Sequence, residues 1–147
     1  MRPLPAPSRV LAVLAALLLA ACASTAPAER DAALLARYEA AAGEPVPHFR
    51  FFRLQGYTVL DDRTLAVWTG PRTAWLLRVD EPCNELRWAP EIGLSSGFGL
   101  VSARFDRVLA GRDRCRITEI RPLDTRALRG RDEPAGPVRT AQVSGGW

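Results

Sequence analysis

The stretch Thr64–Val79, "TLAVWTGPRTAWLLRV", decides the fold. Two runs of β-branched, aromatic and aliphatic residues flank Gly70-Pro71, the composition of a hairpin. In the second run Trp75, Leu77 and Val79 share one face, and Ala74, Leu76 and Arg78 share the other. Leu65 and Val67 alternate in the same way with Ala66 and Trp68. Apolar residues therefore stand on both faces, which predicts a meander with one face buried and the other partly covered. A side chain at Trp68 or Trp75 is expected to pack rather than serve as a binding platform.

Working outward, "YTVLDDRTLAVWT" predicts a preceding hairpin about Asp61-Asp62, and "HFRFFRL" from His48 a further strand. "DEPCNELRWAPEIGL" has no period and is expected to be a long connection, followed by the glycine-serine loop "SSGFG". "LVSARFDRVL" and "CRITEIRPL" supply the last two strands around a turn at "GRDR". Asp124 is placed to cap a short helix "DTRALR". Upstream, Leu34, Leu35, Tyr38 and Ala41 or Ala42 recur at helical spacing before Gly43 and Pro45 end the pattern. Their apolar stripe is expected to pack on the sheet; a partner-helix or membrane-surface role is the alternative. The fold class is α+β: an N-terminal helix on an antiparallel meander sheet of about six strands, curling towards a barrel, and a short C-terminal helix.

The N-terminus carries a different signal. Arg2 and Arg9 precede Val10–Ala21, an apolar run of 12 residues, which fits a signal-peptide core and falls short of the ~20 residues a spanning helix needs. The run ends in Leu19-Ala20-Ala21-Cys22, the bacterial lipobox order: Leu, two small residues, Cys. Small residues fit the narrow subsites of a signal peptidase, and the Cys22 sulfur is the nucleophile that receives a diacylglyceryl group. Each buried methylene of such chains adds ~0.8 kcal/mol of membrane affinity. The competing reading is an ordinary cut at an Ala-x-Ala site with Cys22 incidental. Ala23, rather than Asp, after the anchor favours the outer membrane of a Gram-negative cell. The segments are thus residues 1–21, signal peptide; 22–30, tether; 31–129, periplasmic domain; and 130–147, a flexible tail rich in Gly and Pro.

Removing Arg2 and Arg9 leaves 18 basic against 16 acidic side chains. All the basic residues are arginine, a bias that a GC-rich genome produces without any functional cause. Export and this modest excess make nucleic acid an unexpected partner. Beyond Cys22, the pair Cys83 and Cys115 is expected to form a disulfide in an oxidising compartment. Closing a loop of that length stabilises by roughly 3–4 kcal/mol in the chain-entropy account. Neither cysteine has the C-x-x-C spacing of a redox or metal pair.

Catalytic patterns are sparse. His48 is the single histidine. A hydrolase would need it beside Ser95, Ser96 or Ser102, with Asp106 or Glu91 orienting it. No G-x-S-x-G elbow is present. Asp61-Asp62 and Asp80-Glu81 follow no calcium or zinc spacing, and no metal or cofactor is expected.

The clearer lead is basic. Arginines 104, 107, 112, 114, 116, 121, 126, 129 and 131 stand among only four acids, Asp106, Asp113, Glu119 and Asp124. Guanidinium groups bind phosphates and carboxylates bidentately. Arg112, Arg114 and Arg116 are therefore the candidate anion-binding residues. The bland alternative is a solvated strand face with interleaved acids.

Together, "RYEAAAGEPVPHFRFFRLQGYTVLDDRTLAVWT", "AWLLRVDEPC", "IGLSS" and "VSARFDRVL…RCRITEIRPLD" resemble a family of small proteobacterial lipoproteins classed as a domain of unknown function. The resemblance spans roughly Arg37 to Leu128 and is most specific at Cys83, Cys115 and "CRITEIRP". It implies an envelope address and a single domain, and no chemistry. The sequence thus predicts a non-catalytic outer-membrane lipoprotein whose domain binds an envelope protein or anionic glycolipid, with a small periplasmic hydrolase using His48 as the alternative.

Overall fold

The computed structural model describes residues 25–80 and 82–129. Cys22 and the segments read as signal peptide and tail lie outside these residues. Helix α1 spans Thr25–Ala40, so residues 25–30, expected to be an unstructured tether, already belong to the helix. Pro27 sits in its first turn, where a missing N–H costs no intrahelical bond. Eight strands follow: β1 (His48–Arg50), β2 (Gly56–Val59), β3 (Thr64–Gly70), β4 (Thr73–Val79), β5 (Ile92–Leu94), β6 (Leu100–Ser102), β7 (Arg107–Ala110) and β8 (Asp113–Leu123). Helix α2, Thr125–Arg129, closes the described chain. No helix among the described residues is long and apolar enough to cross a membrane.

Six strands form an antiparallel sheet in the order β2-β3-β4-β8-β7-β5, and β1 pairs with β6 in a separate ribbon. The hairpins about Asp61-Asp62 and Gly70-Pro71 stand where the sequence places them. Asp61 Oδ1 accepts the Arg63 N–H at 2.7 Å, the local bond that favours Asp in such turns. β8 is the spine. Its first half pairs with β7 and its second half with β4, across a register shift between Arg78 and Val79.

Apolar clusters lie on the two faces of the β3–β4 hairpin. Leu65, Val67, Leu77 and Val79 join Tyr57, Val108, Ile117 and Ile120 in the larger, interior cluster. The sheet curls around this cluster without closing: the Tyr57 hydroxyl on edge strand β2 donates to the Ala89 carbonyl, just before edge strand β5. Ala66, Ala74 and Leu76 on the other face pack with Tyr38, Ala41, Leu123 and Leu128. Small residues at 66 and 74 leave room for α1, whose Leu34, Leu35 and Tyr38 stripe packs there as predicted. Trp75 stacks on Phe49 with ring centroids 4.8 Å apart, and Trp68 packs against the helix-side cluster; neither is a free platform.

Three details depart from the sequence reading. "HFRFFRL" is strand only to Arg50 and pairs in the small ribbon rather than the main sheet. "LVSARFDRVL" is not one strand but two, β6 and β7, broken where Arg104 takes a φ of 71°. Ile92–Leu94, read as part of a long connection, is the edge strand beside β7. A three-residue strand is too short to show a period.

Candidate functional site

The Cys83–Cys115 disulfide is present, with Cα atoms 5.6 Å apart. It ties the 82–91 connection to the start of β8. Asp113 lies beside both sulfurs, but the sulfurs are bonded to each other and Asp113 Oδ2 accepts the Glu85 N–H at 2.9 Å. Glu85 completes the clamp by accepting the Arg112 backbone N–H at 2.7 Å and its side-chain Nε–H at 3.1 Å. Those bonds from Arg112 hold the Glu85 carboxyl below its ordinary pKa. Gly111 turns beneath it with a φ of 58°, and a Cβ there would lie 2.0 Å from Glu85 Oε2. Glycine takes this φ without strain and leaves the Glu85 carboxylate in place.

This clamp separates the three candidate arginines. Arg112, in the turn, is tied to Glu85 although its side chain is 93% exposed. Arg114 and Arg116 are not in a loop; they alternate with buried Cys115 and Ile117 on the outer face of β8. On β7, Arg107 stands directly opposite Arg116, and Leu109 opposite Arg114. The cationic face is therefore Arg107, Arg114 and Arg116. None of these three guanidinium groups has an acidic partner among the described residues. Like charges directly opposite one another destabilise a sheet, so the fold itself gives no reason for the Arg107–Arg116 pair. The sequence holds Arg107 within the basic cluster, but only the β7–β8 register shows that it belongs with Arg116.

The other candidates are placed as follows. His48 is exposed at the start of β1 and faces Ser102 across the ribbon. Asp106 is nearby, but its Oδ1 accepts the Ser95 hydroxyl at 2.8 Å and its Oδ2 accepts the Ser102 N–H at 2.8 Å. Ser95 Oγ in turn accepts the Arg107 N–H at 2.9 Å. The network fastens the loop between β5 and β6 and leaves the imidazole outside it. A groove of about 450 Å³ lies among Leu35, Glu39, Asp61, Arg63, Arg78 and Asp80. Within it Arg78 pairs with Glu39 at 2.5 Å, and beyond it with Glu119 at 3.9 Å.

Fold and site together define a small disulfide-clamped α+β domain with a cationic strand face. The chain belongs to DUF6491, a family of unknown function whose profile matches residues 6–136. No curated protein and no solved structure matches it.

Proposed function

We propose that this protein is a lipid-anchored component of a bacterial outer membrane, acylated at Cys22, whose domain binds another envelope component without catalysing a reaction. The anchor rests on the Leu19-Ala20-Ala21-Cys22 sequence after its apolar run. The binding surface rests on one observation: Arg107 and Arg116 oppose each other without an acid between them, with Arg114 alongside. A phosphorylated glycolipid or an acidic protein surface would relieve that repulsion and accept the guanidinium donors bidentately.

The test is capture from envelope extracts by the acylated full chain, wild type against an Arg107→Ala/Arg114→Ala/Arg116→Ala variant. Capture is expected to fall about tenfold or more, at 1.5–3 kcal/mol per charged hydrogen bond removed. Arg112→Ala should bind nearly as wild type, because Glu85 already holds that side chain. Unchanged capture by the triple variant would remove the arginine face from the reading.

A second reading is a periplasmic hydrolase using His48, favoured by the register that places His48 opposite Ser102. The engagement of Asp106 by Ser95 and Ser102 weighs against it. Loss of a cellular phenotype in His48→Ala, with the fold intact, would restore it.

A further inference from the structure

The ribbon of β1 and β6 ends in two phenyl rings that the fold does not use. Phe52 and Phe98 are 100% and 99% exposed. The pairing extends one step beyond Arg50↔Leu100, with the Phe51 N–H donating to the Gly99 carbonyl at 2.8 Å. Phe52 follows Phe51 and Phe98 precedes Gly99, so both stand at the same end of the ribbon. Phe49 and Val101, one step back, point into the interior cluster. Burial of the two end rings contributes nothing to folding, and polar residues would serve the fold equally well at both positions.

The tip is nevertheless built with care. Gly99 has a φ of 68°, and a Cβ on it would lie 2.4 Å from the Phe51 carbonyl oxygen, so only glycine allows this approach. The loop that carries Phe98 is fastened at its other end by Ser95, through Asp106 and the Arg107 N–H. Arg50 and Arg53 flank Phe52, both exposed. Neither residues 48–55 nor residues 92–100 contain an acid. Two exposed aromatic rings at one end of the ribbon, with exposed arginines on the same segment and no acid in either tip segment, complement a surface that is apolar beneath and anionic above.

We propose that this tip contacts the interface of an anionic bilayer. Phe52 and Phe98 enter the boundary between headgroups and acyl chains, roughly 5–10 Å deep for such groups. Arg50 and Arg53 hold lipid phosphates at the surface. The contact uses the folded domain itself and is separate from the Arg107, Arg114 and Arg116 face.

The experiment places the photo-crosslinker benzoylphenylalanine at Phe52, Phe98 or Phe105 of the full chain. Each position is solvent-exposed, so the substitution leaves the cores intact. The proteins are reconstituted into vesicles of phosphatidylethanolamine with phosphatidylglycerol, or of phosphatidylcholine alone, and adducts are read by mass spectrometry. Lipid adducts are expected from positions 52 and 98 in the anionic vesicles and at least several-fold fewer from Phe105. Adding Arg50→Ala and Arg53→Ala should lower the yield about tenfold with phosphatidylglycerol and little with phosphatidylcholine. Absence of lipid adducts at 52 and 98, or equal labelling from Phe105, would overturn the proposal. So would a protein adduct in place of lipid when the same probes are used in cells; that result would mark the tip as a protein-docking knob. None of these outcomes depends on the three arginines of the strand face, so the two proposals stand or fall separately.

Discussion

Glu85 shows what a single side chain can fix. It receives the backbone and guanidinium of a residue 27 positions away and lies against Gly111, so the β7–β8 turn and the 82–91 connection are one unit. Its carboxyl is held below the ordinary value of 4.5, first by the Arg112 backbone bond and then by the Arg112 side chain. A depressed folded-state value means that this stabilisation is fully present above that ordinary value and is lost as pH falls through the folded one. Glu85→Gln is therefore expected to be less stable near neutral pH and to lose less stability on acidification. Urea midpoints measured across that range check this; parallel curves for the two proteins would refute it. Nothing local in "CNEL" marks Glu85, because its partner is distant in sequence. The pairing of the nearby Cys83 with Cys115 was legible in the sequence because only three cysteines are present and Cys22 was read as an anchor.

At the scale of elements, periodicity was reliable where runs were long. The β3 and β4 runs have seven residues each, enough for alternation to assign both faces, and α1 showed its stripe through Leu34, Leu35 and Tyr38. It failed for β5 and for the break between β6 and β7. There the deciding facts are a partner strand and the positive φ of Arg104, a residue type that gives no warning of one. The stripe on α1 also carries a prediction. Tyr38 is 4% exposed against Ala66, Ala74 and Leu76, so Tyr38→Ala should cost about 3 kcal/mol of unfolding free energy. Denaturant unfolding measures it directly. A loss under about 1 kcal/mol would mean that the helix is not fastened to the sheet by this side chain.

The molecule as a whole is joined by bonds that cross long stretches of chain. Cys83 and Cys115 are 32 positions apart, and the double variant Cys83→Ala/Cys115→Ala is expected to lose roughly 3–4 kcal/mol. Denaturation of the unsubstituted protein with and without reductant provides the check, and matching curves would show that the link is dispensable. The candidate site was only partly legible for the same reason. The sequence revealed a basic third, but which arginines share a face depends on the register of β7 against β8.

β8 has one more consequence, for the order of events when the chain is made. The central strand of the sheet is among its last parts to be synthesised, because β4 waits for Arg121 and Leu123 while β7 and the second cysteine wait for Asp113 and Cys115. Until those residues emerge, the β2–β3–β4 hairpins have no neighbour on their inner edge, and the interior cluster lacks Ile117 and Ile120. The three strands already bury one face against α1, but their interior face stays open. The disulfide and the interior cluster are thus completed only after β8 has emerged, so closure of the sheet waits for its last strand.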